Sequence, residues 1–403
     1  MRWCRGSAVV AAVASLVACS GSATPAANPV PSTPPATTAS PAASPSTTTP
    51  PPSPAPTSTP TPSATATTCA LPVGTWSASQ LAGAVLMAPA RLDHLSAAEP
   101  VVASGIGGIV LFGAPSGDVR AQLLRLHAAA GAWPLLVASD EEGGGIQRLA
   151  ALTGALPWPR DLSARGPAGI RAAARDMGRA LRALSVRIDL APVADLDAGP
   201  GPDASHPDGK RSFSADPATA TVDVLAFAHG LVDAGIVPVV KHYPGLGTAS
   251  ANTDAATGVT APLSSLQGRD LAPFVAAVRA GLPAVMTSNA VVPGLSSQPV
   301  SLSSAATAFL RRHLGFRGVI ITDSLSAGAI SAAGFSVESA AVRALAAGAD
   351  SVIVGRGDTT DPGPLLRAVR ASVVAAVKAG RLPAARLREA VRRLAAMMGT
   401  PTC

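Results

Sequence analysis

Eight short apolar runs punctuate the chain after residue 70. They read LAGAVLMAP (81–89), GIGGIVLFG (105–113), PLLVASD (134–140), VRIDLAPVADL (186–196), IVPVVKH (236–242), PAVMTSN (283–289), GVIITDS (318–324) and DSVIVG (350–355). Polar residues do not alternate with apolar ones inside them, as they would in a strand wet on one face. Near-continuous apolar runs of this length fit parallel strands covered on both faces. Between the runs lie amphipathic stretches, among them IRAAARDMGRALRAL (170–184), TATVDVLAFAHGLVDAG (219–235) and SVESAAVRALAAGAD (336–350). The second of these ends on a glycine suited to stopping a helix. Strand alternating with helix about eight times predicts an α/β fold, a (β/α)8 TIM barrel, as one domain over residues 69–403. An open doubly wound sheet shares the alternation. It favours a GxGxxG loop after the first strand, and none is there.

The ends of the runs are polar: Asp140, Asp195, Lys241 with His242, Asn289 and Asp323. In barrels, reactive groups sit where strands run into the loops that follow them. A strand-end Asp often only caps the next helix, and Asp216 in SADP reads that way. Several ionisable groups at the same end of successive strands predict one polar mouth.

The first 70 residues have a different character. Arg2 and Arg5 precede a short apolar core, Ser7 to Ala18, which is too short to span a bilayer. The segment reads as an export signal over residues 1–18. Its end, Leu16-Val17-Ala18-Cys19, resembles a bacterial lipobox, which implies cleavage before Cys19 and a lipid on that cysteine. Residues 19–68 are nearly all Ser, Thr, Pro and Ala. Such a tract cannot bury enough apolar surface to offset its chain entropy. It reads as a disordered tether reaching up to roughly 100 Å. The localisation expected is the outer face of the bacterial cytoplasmic membrane. In an oxidising compartment the two cysteines left, Cys69 and Cys403, are expected to form a disulfide joining the ends of the barrel domain.

The chain has 403 residues, 48% of them hydrophobic, and a formal net charge of +7. Aromatics are only 3% and no long basic block occurs, so no nucleic-acid partner is expected. The charge reads as a diffuse basic surface, with an anionic wall polymer or lipid headgroup as the alternative. Six scattered histidines, with no CxxC or HExxH, predict neither metal nor cofactor. The protein is expected to be a monomer.

Two carboxylates flanking a bond suit glycoside cleavage: one moves a proton, the other attacks the sugar carbon or activates water. Asp323, at the end of the seventh run, is the candidate nucleophile, because attack on one carbon needs a precisely held group. Asp254, in the glycine-rich loop KHYPGLGTASANTDAATG (241–258), is the candidate for proton transfer.

At this point the chain resembles glycoside hydrolase family 3, in its single-barrel β-N-acetylglucosaminidase branch, over roughly residues 75–395. Four motifs carry the likeness: DEEGGGIQR (140–148), RSFSADP (211–217), Lys241-His242-Tyr243-Pro244-Gly245 and ITDSLS (321–326). The resemblance implies a retaining mechanism with a covalent glycosyl intermediate on Asp323. It implies that Asp140, Arg148, Arg211, Lys241 and His242 hydrogen-bond the sugar. Taken singly, some have plainer readings. His242 could be a buried structural histidine, Lys241 a Schiff-base lysine and Arg148 a surface arginine.

Three departures from the family pattern stand out. The acetylglucosaminidase branch usually carries Asp-Ser-His on the loop, where the histidine moves the proton. Here Asn252, Thr253 and Asp254 occupy those places. Asp254 is therefore expected as acid/base, provided burial or Asp323 raises its pKa, with Asn252 supporting it or the leaving group. An ionised Asp254 would repel phosphate, which predicts hydrolysis over phosphorolysis. Leu246 and Gly145 stand where the family commonly has His and Arg. The resulting expectation is an exported enzyme that removes terminal β-linked N-acetylglucosamine from peptidoglycan fragments. The alternatives are a non-catalytic wall-sugar-binding lipoprotein, a family 3 β-glucosidase-type hydrolase and an N-acetylglucosaminide phosphorylase.

Overall fold

A computed structural model describes residues 71–203 and 206–403. The export signal, the tether, Cys19 and Cys69 lie outside the described residues. Eight parallel strands form the barrel: β1 (Leu86–Arg91), β2 (Gly108–Phe112), β3 (Leu136–Ser139), β4 (Ile188–Asp189), β5 (Val237–Tyr243), β6 (Ala284–Thr287), β7 (Val319–Thr322) and β8 (Val352–Ile353). Each pairs with its sequence neighbour, and β1 also pairs with β8 through Leu86 opposite Val352. A parallel bridge from Ile321 to Ser351 links β7 to β8 and completes the ring. The predicted fold class is the one observed.

Every run supplies its strand, with two corrections. The first run predicts apolar strand from residue 81. Residues Ala78–Ala84 are instead helical, and β1 starts at Leu86. The helix is set by a capping box: Ser77 accepts from the Gln80 N–H while the Gln80 side chain accepts from the Ser77 N–H. The pattern Ser-x-x-Gln in SASQ carried that signal. The fourth run, 186–196, yields only a two-residue strand. Pro192 lacks an N–H and cannot extend a ladder. Its carbonyl still accepts from the Lys241 N–H at 3.1 Å, so the segment stays alongside β5 without forming strand.

Amphipathic helices cover the strands, including Gly166–Ala183, Pro217–Asp233 and Val337–Ala347. Asp216 caps the second of these, its carboxylate accepting from the Thr219 N–H at 2.8 Å. One apolar core runs through the barrel and its helix layer, and a small satellite of Leu246, Ala249 and Ala290 lies under the loop after β5. Leu71 bridges in parallel to Thr402. Cys403 is disulfide-bonded, and its expected partner, Cys69, lies outside the described residues. No helix among the described residues is long and apolar enough to cross a membrane.

Candidate active site

A cavity of about 250 Å³ opens at the C-terminal ends of the strands. Asp140 follows β3, Lys241 and His242 close β5, and Asp323 follows β7. All eight residues singled out from the sequence as catalytic or sugar-binding line this one space: Asp140, Arg148, Arg211, Lys241, His242, Asn252, Asp254 and Asp323. Adjacent strand residues normally point to opposite faces. Lys241 and His242 both reach the mouth because the pairing register of β5 shifts between Val240 and Tyr243.

The floor of the cavity is a chain of charge pairs. Lys241 Nζ donates to Asp140 Oδ1 at 2.7 Å and lies 2.6 Å from Glu142 Oε1. Arg211 grips the same Glu142 with both arms, at 2.8 and 2.9 Å, and Asp208 at 3.1 Å. Burial opposes ionisation of Glu142, but Arg211 and Lys241 outweigh it and hold that carboxyl well below the usual range. Burial likewise disfavours the Lys241 ammonium, and Asp140 with Glu142 more than restores it, so its pKa rises. Arg148 lies 3.7 Å from Asp140 and sits over the Phe112 ring. A short hairpin, Glu141–Gly143 with Ile146–Gln147, carries Glu142 inward and Arg148 to the rim. It closes over Trp158: Gly144 has φ +57, and a Cβ there would fall 2.0 Å from the indole.

His242 is braced from behind. Its Nδ1 lies 2.6 Å from Asp195 Oδ2, and the other carboxylate oxygen accepts the Leu246 N–H at 2.6 Å. Burial, then the charge of Arg211, lowers the His242 pKa, with Asp323 opposing. Burial raises Asp195 and Asp208 to about 7 each. Asp195, Asp208 and His242 offer ligand atoms within 4.8 Å of one another, a convergence that sequence spacing did not reveal. Arg211 donates to Asp208, while His242 and the Leu246 N–H engage Asp195, which braces the imidazole behind the cavity.

Asp323 faces the cavity from a fixed loop. Its Oδ1 accepts the Ser324 N–H at 2.6 Å, the Ser324 hydroxyl donates to Gly355 O, and Asn289 donates to Ser324 O. Asn289 is thus a tie beneath the mouth, where its strand-end position suggested a cavity group. Burial raises the Asp323 pKa first of all; His242 opposes this and the Asp254 charge adds to it.

Asp254 stands exposed on the rim, not in the buried setting the sequence reading asked for. Its backbone is pinned: the carbonyl accepts from Gly328 at 2.8 Å and from Arg356 Nη1 at 3.2 Å. Gly328 must lack a side chain, since a Cβ there would fall 2.4 Å from Ala255 O. Asn252 accepts the Asp254 N–H at 2.9 Å, so it shapes the turn under Asp254 rather than holding its carboxyl. Sequence reasoning passed over Glu142 and Asp208 and named Asp195 only as a strand end. Glu142 was visible inside DEEGG; Asp208 carried no signal.

Two carboxylates of different environment, one fixed and one at the rim, thus share a cavity with a cationic, hydrogen-bonding floor. That is the equipment for cleaving a glycosidic bond. The sequence signature of the glycosyl hydrolase family 3 N-terminal domain matches residues 83–397. Beta-hexosaminidase LpqI of Mycobacterium tuberculosis is 40% identical over 290 residues, 70% of this chain and 72% of that protein. The solved structure of M. tuberculosis LpqI superposes with a TM-score of 0.75 at 36% identity, covering 82% of this chain and 97% of the other. A β-N-acetylhexosaminidase from Beutenbergia cavernae gives 0.73 at 31% identity, over 80% of this chain and 99% of its own. The chain belongs to glycosyl hydrolase family 3 and is a glycoside hydrolase of the β-hexosaminidase kind.

Proposed function

We propose that the protein is a retaining exo-β-N-acetylglucosaminidase that hydrolyses terminal β-linked N-acetylglucosamine from peptidoglycan fragments, held at the outer face of the membrane by a lipid on Cys19. The observation that carries the reading is the shared cavity of Asp323 and Asp254. Asp323, held by the Ser324 N–H, attacks the anomeric carbon and forms the glycosyl ester while Asp254 gives its proton to the leaving oxygen. Asp254 then takes a proton from water, which attacks the same carbon from the face the leaving group vacated, and the Asp323–carbon bond breaks. Lys241, Asp140, Arg211, His242 and Arg148 orient the sugar through its hydroxyl and acetamido groups. The clamp on Glu142 fixes the two cations before substrate arrives, so little order has to be created on binding. The expected Cys69–Cys403 bridge ties the domain's ends together, and the enzyme acts as a monomer.

The test is turnover of 4-nitrophenyl β-N-acetylglucosaminide beside the β-glucoside, with Asp323→Ala in parallel. Faster turnover of the acetamido substrate, abolished in the variant, supports the reading. Preference for the glucoside would move the protein to the β-glucosidase type. Binding of the sugar without turnover by folded protein would favour the wall-binding alternative.

A further inference from the structure

Among the described residues, Arg356 is the one arginine lining the cavity that neither grips the floor nor rests against Asp140. It follows β8, and the backbone around it is fixed: Gly355 O accepts the Ser324 hydroxyl at 2.9 Å, and Gly357 O accepts Arg91 Nη1 at 2.9 Å. Its guanidinium is loosely engaged by comparison. Nη1 donates to the carbonyl of Asp254, Nη2 lies 3.9 Å from Asp358, and the side chain is 43% exposed. The result is a partly exposed cation on an anchored backbone, lining the cavity at its rim. Arg211 is instead held by Glu142 and Asp208, and Arg148 lies 3.7 Å from Asp140 on the side of the cavity floor.

Its position relative to Asp254 says which part of a substrate it meets. In the proposed mechanism, on which this inference rests, Asp254 protonates the leaving oxygen. The deep end of the cavity, at Lys241 and Arg211, holds the sugar that is retained. Arg356 lines the same cavity and is hydrogen-bonded to the Asp254 main chain, which puts it on the side of the departing sugar. We propose that Arg356 reads a carboxylate on the aglycone sugar, so that the preferred substrates carry an acidic residue on the reducing side of the scissile bond. A guanidinium presents paired donors that match a carboxylate bidentately, and here it does so without dismantling a buried salt bridge. A lactyl ether on an amino sugar and a uronate both supply that chemistry.

The experiment compares four β-1,4-linked disaccharides with N-acetylglucosamine at the non-reducing end, using the full chain. The second sugar is the lactyl-ether amino sugar, its lactyl amide, glucuronate or neutral N-acetylglucosamine. For each, kcat/KM is measured, and binding is followed by calorimetry. The wild type is expected to favour the lactyl acid over its amide by about tenfold, the worth of a charge-assisted hydrogen bond. Arg356→Gln is expected to bring that ratio close to one, and Arg356→Lys to recover part of it. An acid-to-amide ratio near one in the wild type, or one untouched in Arg356→Gln, overturns the proposal. A preference for glucuronate equal to that for the lactyl acid assigns Arg356 to carboxylates in general; preference for the lactyl acid alone assigns it to that ether. Absence of turnover together with acid-selective, Arg356-dependent binding would sink the catalytic reading while supporting this one. Turnover without selectivity would do the reverse.

Discussion

Lys241 Nζ lies 2.6 Å from Glu142 Oε1, and both side chains are almost wholly buried, at 3% and 1% exposure. Arg211, itself only partly exposed, holds the same carboxylate bidentately, so one buried anion organises two cations. Removing one partner of a buried pair leaves an uncompensated charge, whereas an exposed pair is worth little. Glu142→Gln is therefore expected to lower stability by about 3 kcal/mol in urea unfolding. It should also cut kcat/KM, because Lys241 and Arg211 lose their alignment. Asp233→Asn, at the exposed pair with Arg171, should change the unfolding midpoint little. Equal effects from the two substitutions would contradict the organising role given to Glu142.

Asp323 and Asp254 divide the chemistry, so their loss should leave different signatures. Asp323→Ala removes the attacking group, and turnover is expected to fall at least about a thousandfold with the far-ultraviolet circular dichroism unchanged. Asp254→Ala should also be slow, but azide needs no general base and should restore turnover on a good leaving group. The product expected is the β-glycosyl azide, identified by its anomeric proton coupling, because two inversions preserve configuration. An α-azide would show direct displacement and remove Asp323 from the nucleophile's role. No rescue at all would take the acid/base role from Asp254.

The barrel was legible because its strands are covered on both faces, and continuous apolar runs record that burial. The mouth was legible for a related reason: strand-end polar residues have one place to go. What the sequence hid was which of them face substrate. Asn289 and Asp195 share the strand-end pattern with Asp140, yet they turn toward Ser324 and His242. Local spacing does not encode such partners, since Asp195 meets His242 across 47 residues and Glu142 meets Arg211 across 69. The helix at 78–84 went unread: its apolar content resembles strand, while the capping box at Ser77 decides the matter locally.

The carboxylate at residue 254 bears on the acceptor as well as on the proton. Phosphate approaching the glycosyl-enzyme would meet an anionic group on the rim and a second one, Asp323, being released behind it. Water carries no such penalty. Turnover in phosphate should therefore match turnover in a zwitterionic buffer of equal pH and ionic strength, with free N-acetylglucosamine as the product. Accumulation of the sugar 1-phosphate, or acceleration that saturates with phosphate, would mean that Arg356 or another cation offsets the repulsion and that the enzyme is a phosphorylase.

The buried acids around the cavity predict an unusual dependence of stability on pH. Burial raises Glu141 from 4.5 to about 7, and raises Asp195 and Asp208 from 3.8 to about 7. Between about pH 4 and pH 7 these groups hold their protons in the folded protein and lose them in the unfolded chain. The unfolded state then binds fewer protons, so the free energy of unfolding falls as pH rises through that window. Glu142 and His242 act in the opposite sense, because their folded pKa values are depressed: the contribution of Glu142 is present above about 4.5 and lost only in stronger acid, while that of His242 is lost as pH falls below about 6.5, one group against the three acids. Lys241, with its pKa raised, contributes equally throughout this range. The thermal midpoint is therefore expected to be higher at pH 5 than at pH 7.5. Glu141→Gln keeps a neutral side chain beside Ser139 and the Leu149 N–H, and should narrow that difference by removing one of the titrating groups. A midpoint that climbs from pH 5 to 7.5 in the wild type would mean that these carboxyls are ionised in the folded state, with cations of the cavity floor supplying the compensation that burial alone does not.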